Sequence, residues 1–337
     1  MRCHFPFLLS TRVPKCVMLR RRPFLKNNRF QHRFRYRRMT CPRFFLVCAI
    51  GWLSVSAVFP QAVLSQEEKY LLRYRFHEGD TLCWNVVQTI RVTTTINDLT
   101  EKLETSSRST KIWKVKELSV DGTALFEYGI RDVVMSHKQS GKDAMSFDSR
   151  QDAKIPARFK IVADSVGVPL SHISINARGE TLKKLPLRPY ASGTEENKIT
   201  IPLPEHPVAV GDIWTFPVQP PIELPRPNGT VKKVNARQRF TLESVKTGLA
   251  TIRFETQVLT PLDDPQDKIK LINHLAKGTF QFDIDAGRTI SQDSTIDERV
   301  SGYSGDASTH HNQTRLEECC CGYKTCEICR DAQVAGP

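Results

Sequence analysis

Residues 124–130 read ALFEYGI, and that pattern constrains the chain more than any other short run in it. Ala124, Phe126, Tyr128 and Ile130 fall on one side of an extended backbone, with Leu125, Glu127 and Arg131 on the other. A period of two, rich in aromatic and branched residues, reads as a half-buried β-strand. The pattern returns downstream. VKELSVDGTALFEY (115–128) is similar to TLESVKTGLATIRF (241–254), with Gly122 over Gly248 and Ala124, Phe126, Tyr128 over Ala250, Ile252, Phe254. Upstream of each, EGDTLCWNV (78–86) is similar to VGDIWTFPV (210–218), with Gly79-Asp80 over Gly211-Asp212 and Leu82, Trp84 over Trp214, Phe216. Such Gly-Asp pairs suit a turn entering a strand, because Asp bonds its own backbone two residues on.

The order continues after each strand group. In ARFKIVADSVGVP (157–169), Phe159, Val162, Ala163 and Val166 have helical spacing, with Gly167 and Pro169 as end signals. In DPQDKIKLINHLAKG, Asp264 caps, Pro265 suits the first turn, and Ile269, Ile272 and Ala276 share a face. ISINARGETLKKL (173–185) and FDIDAGRTISQDS (282–294) then read as hairpins. Asp283, Asp285 and Gly287 match a calcium loop only in part, without its distal Glu. The expected fold is α+β and β-rich: two similar units of antiparallel sheet, each with one packed helix, over residues 66–190 and 191–316. The two sheets either join edge to edge or stay separate. Residues 218–229 (VQPPIELPRPNG), with four prolines, are expected at an edge or in a loop.

The net charge of +13 points toward nucleic acid until it is divided along the chain. Residues 1–65 hold 13 of the 49 Lys and Arg and no acid, leaving 36 basic and 36 acidic residues from 66 onward. The excess precedes FFLVCAIGWLSVSAVF (44–59), which is short for a membrane span and fits the apolar core of a signal peptide. Val63 and Ser65 place the cut before Gln66, and a start at Met39 gives a leader of ordinary size. Export to the periplasm, envelope or medium is therefore expected, with no membrane span in the mature chain. Arg21–Lys26 (RRPFLK) matches the twin-arginine pattern, but it lies far ahead of the apolar run. Arg29–Arg38 (RFQHRFRYRR) resembles a nucleic-acid arm; placed in a leader ahead of a neutral body, it gives no nucleic-acid partner.

The runs ADSVGVPLSHISINARGETLKK, ITIPLPEHPVAVGDIWTF, RQRFTLESVKTGLATIRFETQVLTP and GTFQFDIDAGRTI together resemble an uncharacterised family of exported proteins of planctomycete-type bacteria. The resemblance covers about residues 68–316. It implies export and a paired β-rich fold, and brings no activity with it. The basic leader and the cysteine-rich end, residues 317–337, depart from the family pattern.

No GxGxxG, GxxxxGK[ST], HExxH or GxSxG occurs, which argues against nucleotide enzymes, zincins and α/β-hydrolases. His77, His137, His172, His206 and His274 stand alone in sequence and read as surface or core residues. Beyond the leader, six cysteines remain: Cys83, Cys319, Cys320, Cys321, Cys326 and Cys329. In an oxidising compartment their even number suits disulfides, with the pairing open. Zinc held by the five of the C-terminal group is the alternative, because Cys326-x-x-Cys329 makes one ligand pair. No cofactor is called for. The function expected is an exported, non-enzymatic module that binds a small apolar ligand or an envelope partner. The candidate groove is Trp84, Phe126, Tyr128, Trp214, Ile252 and Phe254, for which hydrophobic core is the favoured reading. The alternative is a hydrolase or a thiol- or metal-dependent enzyme whose residues are scattered in sequence.

Overall fold

Long runs of alternation make strands of most of the chain. A computed structural model describes residues 67–152, 154–188, 199–218, 221–225 and 229–322, all belonging to a compact unit that spans 64–337. The leader, the signal segment and its cut, and Cys326 and Cys329 lie outside the described residues. Fourteen strands follow in order: β1 (Thr81–Ile96), β2 (Leu99–Leu118), β3 (Ala124–Gln139), β4 (Met145–Asp148), β5 (Pro169–Ile175), β6 (Thr181–Pro186), β7 (Ile213–Pro217), β8 (Ile222–Pro225), β9 (Val231–Val234), β10 (Ala236–Lys246), β11 (Leu249–Val258), β12 (Lys277–Asp283), β13 (Arg288–Ser301) and β14 (Ser308–Cys320). Helix α1 (Lys160–Ala163) precedes β5, and α2 (Pro265–Leu271) precedes β12.

Twelve strands form one antiparallel sheet in the order β6-β5-β3-β2-β1-β14-β13-β12-β11-β10-β7, with β4 paired to β3; β8 and β9 form a separate hairpin. This overturns the expected α+β fold of two similar units, each with one packed helix. A single sheet runs through both stretches, and the last long strand, β14, lies between β1 and β13. The first expected helix shrinks to one 3-10 turn (Ala157–Phe159) and the single turn of α1. Pro156 offers no side-chain cap, Ile161 and Val162 are β-branched, and Gly167 ends the run, so little favours a longer helix. α2 does form, with Asp264 accepting from the Gln266 amide at 2.8 Å. It packs Leu271 against Ile222, Leu224 and Val234 of the β8–β9 hairpin, a neighbour that α1 lacks.

Local turns form as their residues dictate. Asp80 and Asp212 each accept from the amide three residues before, His77 and Ala209, and each Gly-Asp pair is bonded to a strand of the sheet, Gly79 to Val115 and Gly211 to Leu242. At the β5–β6 turn the Asn176 side chain accepts from the amides of Arg178 and Glu180.

The main interior cluster is drawn from strands at both ends of the sheet: Leu170, Ile173 and Ile175 of β5, Phe126 of β3, Trp113 of β2, Phe240 of β10, Ile252 of β11 and Phe282 of β12. The sheet therefore turns its inner face toward itself. Two extended segments cross that face, residues 70–76 and 199–208. They bond to each other through Tyr70 and Val208, and to the two hairpin turns through Tyr74 to Ala177, Arg75 to Gly287 and Leu203 to Arg178. Tyr74 is the junction: its hydroxyl accepts from the Ile201 amide at 2.9 Å and lies 3.0 Å from Thr289 Oγ1, while burial pushes its pKa up. Gly179 is required beneath this crossing. It has φ +80°, and a Cβ there would run into Ile201 O and the Tyr74 ring.

Candidate functional site

Pairing stacks the inward side chains of β3, β2, β1 and β14 in rungs. Tyr128, Trp113 and Leu82 form one; Ile130, Lys111, Trp84 and Cys320 the next; then Val133, Ser109, Val86 and Glu318. Beyond these the rungs turn polar: Met135, Ser107, Gln88 and Leu316, then His137, Thr105, Ile90 and Thr314. Lys111 Nζ and Glu318 Oε1, both buried, meet at 2.5 Å at the change. The pair spans 207 residues of sequence, and no local spacing announces it.

Two irregularities open the opposite face of β2 and β3, where Ile112, Lys114, Glu127 and Gly129 alternate with the inward Trp113 and Tyr128. β3 carries an extra residue, Arg131, opposite the Thr110–Lys111 step of β2. β5 carries an extra residue, Leu170, opposite the Tyr128–Gly129 step of β3. Such bulges bend a strand and re-aim side chains. Here they leave a groove of about 310 Å³ lined by Ile112, Lys114, Glu127, Tyr128, Gly129, Ile130, Arg131, Gly167, Val168 and Pro169. Its far wall is fixed by backbone contacts. The Gly167 amide donates to Ile130 O at 2.8 Å, and Gly167 has φ +76°. Gly129 admits the wall closely, since a Cβ there would lie 3.0 Å from Val168 O. The floor is apolar and the rim charged. Glu127 lies 3.7 Å from His172 Nε2, and Arg131 Nε lies 3.1 Å from Asp132. Lys114 stands opposite Glu127 in the register, and no ion pair within 4.0 Å is found for it among the described residues.

The six residues read as a groove all sit in the main interior cluster. Trp84, Phe126, Tyr128, Trp214, Ile252 and Phe254 are each 9% exposed or less. Only Tyr128 also lines the 310 Å³ groove. Ile112, Gly129, Val168 and the charged rim were missed, because the groove arises from pairing irregularities rather than from a motif.

Cys83 is joined by a disulfide to Cys321, with 5.3 Å between their Cα atoms. They are cross-strand neighbours, and the Cys321 amide donates to Cys83 O at 2.8 Å. Cys319 and Cys320 are buried in β14, Cys320 beside Trp84 in the main cluster. Among the described residues no group of three or more His, Cys, Asp or Glu is placed to hold a metal ion. The histidines are dispersed. His137 is buried with Nδ1 3.1 Å from Thr105 Oγ1, and His310 lies 3.1 Å from Thr94 Oγ1. Burial holds the pKa of His137, His274 and His310 below the ordinary value. His77 pairs with Asp80 at an exposed turn. No helix among the described residues is long and apolar enough to cross a membrane.

No family model matches the sequence, and no curated protein matches it. Among solved structures the chain is similar to lipovitellin, from a structure concerned with lipid–protein interactions, at 8% identity and a TM-score of 0.39 over 74% of this chain. The match spans 26% of the lipovitellin chain, about a quarter of its length. A likeness this loose carries no argument about ligand or activity.

Proposed function

We propose that the mature chain is an exported, non-enzymatic binding module whose ligand occupies the groove between β2, β3 and the Gly167–Pro169 segment. The observation that carries this is the groove itself: 310 Å³ of concave space with an apolar floor and a few charged groups at its rim. That mixture is typical of small-ligand sites, which begin near this size. The disulfide between Cys83 and Cys321 supports export, since such bonds persist in oxidising compartments.

Titrating the protein with 1-octanol, followed by amide NMR, tests the groove. The expected result is saturable shifts concentrated at Gly129, Gly167 and Val168, abolished in Val168→Trp, which fills the space. Shifts spread evenly over the chain, or none, would remove the groove as the site. Mass spectrometry of the protein recovered from cells tests export, with a first residue of Gln66 expected.

A further inference from the structure

The groove's charges point to the kind of molecule it takes. We infer that the ligand is a small amphiphile bearing one carboxylate, its apolar body on the floor of Ile112, Ile130, Val168 and Pro169 and its carboxylate at Lys114. This rests on the binding reading above and names the ligand's chemistry.

The argument is one of unmatched charge. Three charged side chains line the groove. Glu127 is engaged by His172 at 3.7 Å, and Arg131 by Asp132 at 3.1 Å. Among the described residues Lys114 has no ion pair within 4.0 Å, although Glu127 is its neighbour across the strands. An ammonium on a flexible stem at the edge of an apolar floor is able to reach an anion lodged there while its methylenes stay against apolar surface. An amine ligand meets the reverse situation: Lys114 and Arg131 repel it, and the one carboxylate among the lining residues, Glu127, has His172 Nε2 3.7 Å away. A neutral ligand leaves the Lys114 charge unanswered. Electrostatic complementarity of this sort sets specificity more than strength, so the floor supplies affinity and Lys114 the choice of head group.

Three probes of equal chain length separate the claims: sodium octanoate, 1-octanol and octylamine, each titrated into the mature full-length protein by calorimetry and amide NMR. Octanoate is expected to bind best, to move the amides of Gly129, Gly167 and Val168, and to weaken as salt is raised. Lys114→Gln is expected to lower octanoate affinity about threefold to fivefold, the size of one exposed ion pair, and to leave octanol unchanged. Arg131→Gln, already paired in the free protein, is expected to do less. If octanol or octylamine binds the groove as well as octanoate, or if Lys114→Gln leaves octanoate binding intact, the carboxylate inference falls while the groove stands. If none of the three moves the groove amides, the binding reading itself falls.

Discussion

The inner face of β1, β2 and β14 has two ends that differ sharply. At one end Leu82, Trp84, Trp113 and Cys320 are sealed in the main cluster, and segments 70–76 and 199–208 cross above them. At the other end, on the same face of the same strands, Gln88, Ser107, Thr105 and Thr314 are only half-buried. Short elements flank that end: Phe159 packs on Val133 and Phe147, and Ile272 on Ile296 and Val300. Alternation thus tells which way a side chain points. Whether that direction is dry depends on what crosses the sheet, and here the crossing comes from segments outside the sheet's ladder, whose own inward residues Leu72, Tyr74, Phe76, Ile201 and Leu203 are buried against it. The buried Lys111–Glu318 pair marks the change from one regime to the other.

The largest effects are expected at that boundary. Glu318→Ala leaves the Lys111 ammonium buried without its carboxylate, and a loss of about 3–5 kcal/mol is expected by urea unfolding. Lys111→Met with Glu318→Leu is expected to recover much of it, because two apolar side chains there extend the dry end by one rung. A double variant no better than the single would mean that the boundary needs its charges. Removing the disulfide with Cys83→Ser is expected to cost about 3–5 kcal/mol, since it closes nearly the whole sheet into one loop, and a non-reduced digest should yield a peptide joining Cys83 to Cys321. Gly179→Ala tests the crossing directly. The left-handed φ and the clash with Ile201 O and Tyr74 predict a loss of about 2 kcal/mol or more, and a neutral result would mean the crossing segments are loosely held.

What the sequence made legible was local. The Gly-Asp turns and the Asn176 hairpin turn were readable because each is built by residues within four positions of one another. The alternating faces of β3 and β11 were readable for the same reason. β14 was not: STHHNQTRLEECC has no apolar alternation, yet it becomes a central strand because β1 and β13 supply its ladder on both sides. The groove was not legible either. It depends on Arg131 and Leu170 being extra residues in their pairings, a fact of the neighbouring strands rather than of either run. Whether the two sheets join edge to edge stays open in the sequence, because the similar stretches, each with its own turn signals, carry no mark of the edge by which they join.

Smaller effects probe the wetter end through pH. Burial lowers the pKa of His137, His274 and His310, so each prefers its neutral form in the folded chain. For His137, the positive charges of Arg158 and Lys142 act in the same direction, and for His310 that of His311 does. The unfolded chain then binds more protons than the folded one below about pH 6.5. Stability is expected to be fully present above that pH and to fall as pH drops through 6.5 toward 5. His137→Gln should flatten part of that slope in unfolding experiments at several pH values; an unchanged slope would place the titration elsewhere.

One substitution at each end bears most directly on the comparison, the smaller cost being expected at Leu103. Leu82 and Leu103 both point to the inner face, the first under the crossing segments and the second half-buried at the far end of β2. Leu82→Ala is expected to cost about 2–5 kcal/mol, the usual range for a buried leucine left as a cavity. Leu103→Ala is expected to cost about 1 kcal/mol, because water already reaches its side chain and only part of the transfer free energy is lost. Equilibrium unfolding at two protein concentrations separates the outcomes. A cost at Leu103 that matches Leu82, and grows with concentration, would mean that a second copy covers the far end in solution. A small cost that is independent of concentration leaves the crossing segments as the cause of the difference between the two ends.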